Sequence, residues 1–187
     1  MGLHPSTQAL IQRVVKEIDL PILIDGDGIS AVTPELLSER DHPWIVTPHP
    51  GEMGRLFGIS TNEVQNDRWH YVRQLACSPN GTVVLKGAGS VIARQGESLY
   101  VNPTGNPAMA AGGMGDVLSG MIGALLAKGV HSFHAASAAV YLHGLAADLI
   151  VEETGAEAVS PLQIIDKIQG TIQTIRWYNN EPETWVV

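Results

Sequence analysis

The sequence predicts an α/β domain in which helices cover both faces of a mostly parallel sheet. Short apolar runs alternate with longer segments whose apolar residues recur at helical spacing, an order typical of strands joined by crossover helices. Three of these runs end in polar or glycine-rich turns, as strands do at the ligand-binding edge of such a sheet. The chain has 187 residues, which fits one domain, because domains usually hold roughly 100–200 residues.

The first part of the chain predicts one helix and then two buried strands. Apolar residues at helical spacing follow Ser6 and Thr7, either of which can cap the helix, and Pro21 ends it. The runs at 22–24 and 44–47 are short and apolar, which is typical of parallel strands covered on both faces.

The rest of the chain predicts a third buried strand, a hairpin and more helices. Residues 82–86 form the strand, and residues 91–93 and 99–101 flank a polar turn as two short antiparallel strands. Apolar periodicity predicts helices at 61–76, 115–127, 132–153 and 160–176. Residues 178–187 are expected to form an irregular tail, since they contain two asparagines and a proline.

The composition argues against two classes of partner. There are 11 Lys and Arg against 19 Asp and Glu, a net charge of -8, whereas binding to nucleic-acid backbones needs clustered cations. The apolar stretch 117–130 is broken by Gly120, Gly123 and Lys128 and falls short of the ~20 residues of a membrane span. Cys77 is the single cysteine, so no internal disulfide can form, and we expect a cytoplasmic protein.

Polar residues follow the three predicted parallel strands at the points where they end. Asp25 follows the first strand, His49 the second, and Lys86 ends the third ahead of two glycines. Because the carboxyl ends of parallel strands share one edge of the sheet, these side chains should meet there.

A glycine-rich turn before an apolar helix predicts an anion site. Gly112, Gly113 and Gly115 allow backbone conformations in which successive N–H groups point into one concavity. The start of the following helix adds unpaired N–H groups and the positive end of its dipole, which favour phosphate. Asp116 lies at this start and is suited to accept a proton from a substrate hydroxyl, or else only to cap the helix.

Several motifs resemble one enzyme family. The Gly-Xaa-Gly-Asp pattern at 113–116 is similar to the anion hole of ribokinase-like kinases. The Asn-Pro-Thr-Gly-Asn-Pro stretch at 102–107 resembles one branch of them, the NAD(P)H-hydrate dehydratases. Further segments that resemble the same branch lie, in the family's order, at 25–28, 47–52, 84–89 and 143–148.

This resemblance implies a ribokinase-like α/β/α sandwich of three layers and a repair reaction on nicotinamide nucleotides. ADP or ATP, with Mg²⁺ bridging its phosphates, would phosphorylate the hydroxyl of NADHX or NADPHX. Phosphate would then leave by elimination and restore NADH or NADPH, with Asp116 as the acid/base residue. Nucleotide contacts are implied for Lys86, Gly87, Ala88, Gly89, Ser90, Gly113 and Gly115, and substrate contacts for His49, Asn106 and Asp116.

The resemblance also bears on size and assembly. The family's domain normally has an N-terminal section with further strands, so a shortened domain is expected, with the end of a glycine-rich loop at Gly2 and Leu3. No sign of a fused epimerase domain is present in residues 1–187. A homo-oligomer, up to a tetramer, is implied.

Each of these residues also has a simpler interpretation. Lys86 is compatible with a surface lysine, His49 with a loop residue, and Asp25 and Asp27 with helix caps. The competing functions are a ribokinase-like kinase of a vitamin-precursor alcohol, which shares the Gly-Asp of 115–116 but not the 102–107 stretch, and a nucleotide-binding module without activity.

Three further histidines have no role implied by the resemblance. His131 and His134 lie one helical turn apart, a spacing that can bind a metal, but no third ligand is evident in the sequence. A solvated helix start is therefore predicted for this pair, and no metal ligand is assigned. His143 belongs to an alanine-rich helix, where a packed core histidine is predicted.

Overall fold

A five-stranded sheet forms the centre of the structure, a computed structural model that describes residues 4–180, with side chains as far as 175. Its strands lie in the order in which they occur along the chain: β1 (Ile22–Ile24), β2 (Trp44–Val46), β3 (Gly81–Leu85), β4 (Val91–Ala93) and β5 (Tyr100–Val101). The first three are parallel, and β4 and β5 add two antiparallel pairings. The three predicted buried strands and the predicted hairpin are confirmed.

Helices cover both faces of this sheet. The helices are α1 (Pro5–Glu17), α2 (Pro34–Ser38), α3 (Pro50–Phe57), α4 (Thr61–Asn66), α5 (Arg68–Leu75), α6 (Met114–Ala127), α7 (Ser132–Thr154) and α8 (Pro161–Asn180). Short 3₁₀ turns follow β1 at Gly26–Ala31 and precede α6 at Pro107–Met109.

Alternation along the strands divides the core into two main clusters. Trp44 and Val46 of β2 pack with the side chains of α1 to α5, whereas Ile45 between them packs with α6 and α7. Successive residues of a strand point to opposite faces, so a fully apolar strand fills both clusters. The predicted three-layer α/β/α arrangement is therefore confirmed. A third cluster joins α7 and α8 to the start of α6.

Local polar residues account for the differences from the predicted elements. The single helix expected at 61–76 is two helices, because Asp67 leaves helical geometry at φ −144° and caps α5 through the His70 N–H at 3.1 Å. The first helix begins at Pro5 and is capped by His4 rather than by Ser6 or Thr7. Two short helices, α2 and α3, were not predicted.

The ends of the chain differ in part from the prediction. Helix α8 continues to Asn180, three residues into the segment predicted to be irregular, and residues 181–187 lie outside the described residues. Gly2 and Leu3 also lie outside them.

Helix α7 is long and apolar enough to cross a membrane by length and composition alone. In the fold, 50% of its most apolar window is buried, and it packs on α6, α8 and the sheet. This is the burial expected of the core helix of a globular domain.

Candidate functional site

The ends of the parallel strands meet in one hydrogen-bonded cluster around Asp25. Asp25 Oδ1 accepts hydrogen bonds from the Thr47 hydroxyl at 2.7 Å and from Lys86 Nζ at 2.6 Å. Asp25 Oδ2 accepts a third hydrogen bond from the Ser119 hydroxyl of α6 at 3.0 Å. The cluster therefore ties all three strand ends to the helix that follows the glycine turn.

The electrostatics of the cluster favour an ionised Asp25. Burial is the largest single influence and opposes ionisation, but hydrogen bonds from Lys86 and Thr47 and the positive charge of Lys86 together outweigh it. The pKa of Asp25 consequently lies below its ordinary value. Lys86 is mostly buried, so it is not the freely solvated surface lysine considered from the sequence.

His49 lies beside the cluster and starts α3. Its Nδ1 accepts hydrogen bonds from the N–H groups of Gly51 at 3.0 Å and Glu52 at 3.3 Å, and the Glu52 carboxylate accepts one from the His49 N–H at 2.7 Å. This reciprocal pair is a capping box with histidine in the place of serine. Glu52 is buried, with Oε2 3.8 Å from Lys86 Nζ, so Lys86 lies between two carboxylates.

Helix α6 begins at a glycine turn close to this cluster. Gly113 is its N-cap with φ 88°, in the left-handed region, and no side chain caps the helix. A Cβ on Gly115 would stand 3.2 Å from Asp25 Oδ2 and 3.6 Å from Lys86 Nζ, so the absence of a side chain lets α6 approach the cluster. Asp116 is exposed at the next position. Its backbone N–H bonds to the Gly113 carbonyl at 3.1 Å.

A cavity of 540 Å³ opens beside the start of α6. Its walls are residues 86–90 after β3, residues 102–107 after β5, Met109, Ala110, three residues of α6, and Val140, His143 and Gly144 of α7. Ligand pockets commonly enclose about 300–1,000 Å³, so the cavity is large enough for a nucleotide-sized molecule.

Asp148 of α7 holds the 102–107 wall of the cavity. Its carboxylate accepts hydrogen bonds from the Gly105 N–H at 2.8 Å and from Asn106 Nδ2 at 2.8 Å. Asn106 Oδ1 in turn accepts a hydrogen bond from the Ala108 N–H at 3.0 Å. The polar atoms of the Asn106 side chain are therefore bonded within the protein, and this residue shapes the wall it belongs to.

Arg68 supports the opposite wall, residues 86–90. Its guanidinium donates hydrogen bonds to the carbonyl oxygens of Leu85 at 3.1 Å and Gly89 at 3.3 Å. Gly87 has φ 136°, and a Cβ there would lie 2.9 Å from Arg68 Nη1. The helix break at Asp67 places Arg68 at the start of α5, from which its side chain reaches under this loop.

His143 is both a core residue, as predicted, and part of the cavity wall. It is 6% exposed, and its Nε2 is buried without a hydrogen-bond partner among the described residues. Burial lowers its pKa to about 4, so the imidazole is neutral at physiological pH.

The structure brings most of the implied site residues to this cavity. Lys86, Gly87, Ala88, Gly89 and Ser90 line it together with Asn106 and Gly115. His49, Gly113 and Asp116 are not among its lining residues; His49 is the N-cap of α3, and Gly113 and Asp116 flank the lining residues Met114 and Gly115 at the start of α6.

Sequence reasoning missed several residues that build the site. Ser119 lies four positions after Gly115, so helical spacing would have placed it on the same face. Asp148 belongs to the 143–148 segment, but the sequence indicated no role for it. Glu52, three residues after His49, follows the spacing of a capping box. It was not recognised because a capping box usually begins with Ser or Thr rather than His.

The chain matches a family model described as NAD(P)H-hydrate dehydratase over residues 1–170. It is 45% identical over 155 residues to the bifunctional NAD(P)H-hydrate repair enzyme Nnr of Coxiella burnetii, covering 83% of this chain and 31% of that protein. The chain therefore spans about a third of that relative's length.

Solved structures extend this likeness to the fold. The ADP/ATP-dependent NAD(P)H-hydrate dehydratase from Bacillus subtilis, co-crystallised with ATP and Mg²⁺, superposes with a TM-score of 0.84 at 34% identity and covers 93% of this chain and 61% of that one. Ribokinase from Arabidopsis thaliana, at 19% identity and a TM-score of 0.54, covers 86% and 52% and shares the fold. The fold is thus ribokinase-like, as the motifs implied.

Proposed function

We propose that this chain, which belongs to the NAD(P)H-hydrate dehydratase family, uses ADP or ATP to dehydrate NADHX and NADPHX to NADH and NADPH. One observation carries the proposal: the cavity between residues 86–90 and 102–107 borders an uncapped helix start with a carboxylate at its third position. That combination accommodates a nucleotide, its phosphates and a proton acceptor in one place.

The nucleotide is assigned to the cavity itself. Lys86, Gly87, Ala88, Gly89 and Ser90 form one wall, and Gly87 and Gly89 have the positive φ angles that glycine favours. The first N–H groups of α6 then face the transferred phosphate, because a helix start without a side-chain cap leaves those donors for an anion. Gly113 supplies the left-handed turn that this arrangement needs, and Gly115 lets the phosphate lie close to Lys86.

Asp116 is assigned the proton. Ser119, one turn further along α6, reaches into the Asp25 cluster, and residues three apart are neighbours on a helix surface, so Asp116 lies on the side of α6 near the strand ends. Its carboxylate is exposed in the first turn of the helix. An ionised carboxylate can accept the hydrate's hydroxyl proton as the oxygen attacks phosphorus.

The reaction balances in two steps. The hydrate oxygen forms a bond to the terminal phosphorus while the bond to the nucleotide's bridging oxygen breaks, which releases AMP from ADP or ADP from ATP. The C–O bond to the new phosphate ester then breaks and a neighbouring C–H proton leaves, which restores the dihydropyridine ring. Phosphate is a far better leaving group than hydroxide, which explains the need for a nucleotide.

His49 and Asn106 are assigned to the substrate side with different duties. His49 has its Nδ1 committed to the start of α3, and its Nε2 lies 3.6 Å from Glu52 Oε1 on a half-exposed side chain, whose exposed edge we assign to the hydrate. Asn106 acts by shaping the loop through its bonds to Asp148 and the Ala108 N–H. Its contact with the substrate is therefore steric.

Mg²⁺ completes the proposed assembly and would neutralise charge on the nucleotide phosphates. The described residues contain no group of three metal-ligating side chains at the cavity, which agrees with an ion held mainly by phosphates and water. Asp116 is an exposed carboxylate in the first turn of α6, and we assign it to contact such an ion's water.

Turnover of a chemically prepared hydrate tests the proposal directly. With ADP or ATP and Mg²⁺, the chain should restore the NADH absorbance band and release phosphate in equal amounts. Asp116→Asn should lower kcat by roughly 10²–10⁴-fold, the usual contribution of a general base, and leave the melting temperature nearly unchanged. Asp166→Asn, an exposed carboxylate on α8, is the matched control and should keep wild-type turnover.

Two other outcomes would point elsewhere. A stable phosphorylated alcohol without recovery of NADH would indicate the kinase function, and ADP binding without turnover would indicate a nucleotide-binding module. Near-normal kcat of Asp116→Asn would refute the role given to that carboxylate.

A cytoplasmic homo-oligomer, up to a tetramer, is the assembly we propose. Leu162 and Ile165 of α8 are 71% and 51% exposed and lie on neighbouring turns, so they offer an apolar surface to a second copy. Analytical ultracentrifugation of the wild type and of Leu162→Glu measures the mass of the assembly. Equal masses for the two proteins would refute a contact between copies through α8.

A further inference from the structure

Three metal-ligating side chains meet on the surface, away from the cavity. Glu97 lies in the turn between β4 and β5, His131 is the N-cap of α7, and His134 lies in its first turn. One ligand atom from each, a carboxylate oxygen and two imidazole nitrogens, lies within 4.8 Å of the others. The two imidazole rings are 5.6 Å apart, centre to centre.

We propose that Glu97, His131 and His134 form a binding site for a divalent transition metal, with Zn²⁺ as the preferred ion. Two imidazoles and one carboxylate are a recurrent protein ligand set for Zn²⁺, with a fourth position left for water. The set is a poor one for Mg²⁺ or Ca²⁺, which prefer oxygen ligands throughout. The inference does not depend on the proposed enzymatic activity.

The geometry requires only a small adjustment. Ligand atoms about 2.0–2.2 Å from a tetrahedral Zn²⁺ lie roughly 3.4 Å from one another, so atoms that lie within 4.8 Å must close by at most about 1.4 Å. All three residues are exposed, and their side chains can rotate to make this change without repacking the core.

The backbone that carries the ligands is already fixed by a shared polar contact. The buried Ser132, between the two histidines, shares a hydrogen bond with the Thr82 hydroxyl at 2.8 Å and accepts one from Arg94 at 3.0 Å. The Arg94 carbonyl accepts a hydrogen bond from the Glu97 N–H at 3.2 Å. Arg94 thus links the turn that carries Glu97 to the helix start that carries the histidines.

The neighbouring charges set limits on affinity. Arg94 and the positive end of the α7 dipole oppose a cation, and the Glu97 carboxylate offsets them only in part. We therefore expect weaker binding than at a closed four-ligand zinc site.

A bound ion would join two elements that both reach the cavity. Strand β5 leads directly into the 102–107 wall of the cavity, and His143 and Gly144 of α7 also line the cavity. Coordination by Glu97 and the two histidines would fasten the hairpin to α7 at the other end of both elements.

Metal titration of the tag-free, chelator-treated chain tests the site. Zn²⁺ followed by calorimetry, and Co²⁺ followed by its visible absorption, should each show one ion per chain. Zn²⁺ should also raise the melting temperature by mass action. We expect a more than about tenfold loss of Zn²⁺ affinity in each of His131→Ala, His134→Ala and Glu97→Gln. Substitution of residues that only hydrogen-bond to metal ligands commonly lowers metal affinity 10–100-fold.

Matched surface variants provide the controls. His70→Ala and Glu157→Gln remove an exposed histidine and an exposed glutamate elsewhere, and both should bind Zn²⁺ as the wild type does. The three site variants should retain the wild-type far-ultraviolet circular dichroism, because the substituted side chains are exposed. Unchanged Zn²⁺ affinity in any of them, or displacement of Co²⁺ by millimolar Mg²⁺, would overturn the assignment.

Discussion

Replacing Gly144 with alanine should separate α7 from the loop that forms one wall of the cavity. A Cβ at this position would stand 2.3 Å from Thr104 Oγ1, 2.7 Å from the Thr104 carbonyl carbon and 2.8 Å from the Gly105 nitrogen. Carbon atoms in good contact are about 3.5–4.0 Å apart, so the shortfall is close to 1 Å. The hydroxyl can rotate, but the two backbone atoms move only if the loop moves.

The expected cost follows from three contributions. Overpacking of this kind costs about 1–3 kcal/mol, and loss of the Thr104 hydrogen bond to the Tyr141 carbonyl costs about 1 kcal/mol more. Alanine gains up to about 1 kcal/mol over glycine within a helix, which offsets part of this. The net destabilisation of about 1–4 kcal/mol corresponds to a fall in melting temperature of roughly 2–16 °C for a domain of this size.

Calorimetric melting and ADP titration together measure the effect. ADP affinity should fall along with stability, because residues 104 and 105 belong to the cavity wall. Gly123→Ala in α6 is the matched control: nothing lies within 4 Å of its added Cβ, so stability should rise by up to about 1 kcal/mol. A Gly144→Ala variant that melts at or above the wild-type temperature and binds ADP normally would refute the close packing of α7 on this loop.

Three further substitutions test the electrostatics and capping of the site. Asp25 has a depressed pKa, so the stability it adds is present above its ordinary pKa of 3.8 and is lost as the pH falls below that value. Unfolding titrations should therefore show Asp25→Asn less stable than wild type at pH 7, with a gap that narrows in acid; a gap independent of pH would contradict the ion pair with Lys86. In the folded protein His143 stays neutral down to about pH 4, whereas in the unfolded chain it gains a proton near pH 6.5. As the pH falls from 6.5 to 4, the free energy of unfolding of the wild type should therefore decrease by up to about 3 kcal/mol. His143→Gln should lose much less over the same range, and parallel pH profiles of the two proteins would refute a buried neutral imidazole. His49→Asn keeps a side-chain acceptor for α3 and should melt like wild type while KM for the hydrate rises more than kcat falls, whereas His49→Ala should also lose about 0.5–2 kcal/mol of capping. A His49→Asn variant with unchanged KM would remove the histidine from the substrate site.

Elements whose signal is local were predictable from the sequence. A strand covered on both faces is mostly apolar, which made β1 to β3 recognisable as short runs. The left-handed turn before α6 requires glycine, so Gly113 indicated both the turn and the helix start. The break between α4 and α5 was missed because Asp67 fits a helix surface, and only its bond to the His70 N–H makes it a cap.

Contacts between distant positions had no comparable signal. Asp25 bonds to residues 22, 61 and 94 positions away, namely Thr47, Lys86 and Ser119. Because the carboxyl ends of parallel strands share one edge of the sheet, Thr47 and Lys86 could be placed near Asp25 from the sequence. The position of the Ser119 hydroxyl depends on how α6 packs against the sheet. Asp148, which holds Gly105 from α7, depends in the same way on helix packing.

The sequence by itself determined the positions of the strands, the glycine turn before Asp116 and the family, because each depends on short motifs of residues that are close together along the chain. Only the tertiary structure decided that Lys86 lies between Asp25 and Glu52, and that Glu97 joins His131 and His134. Hydrophobic periodicity specifies which face of an element is buried, but not which polar side chains meet where two elements cross. That choice belongs to the packing of the whole domain, which brings residues together whatever their separation along the chain.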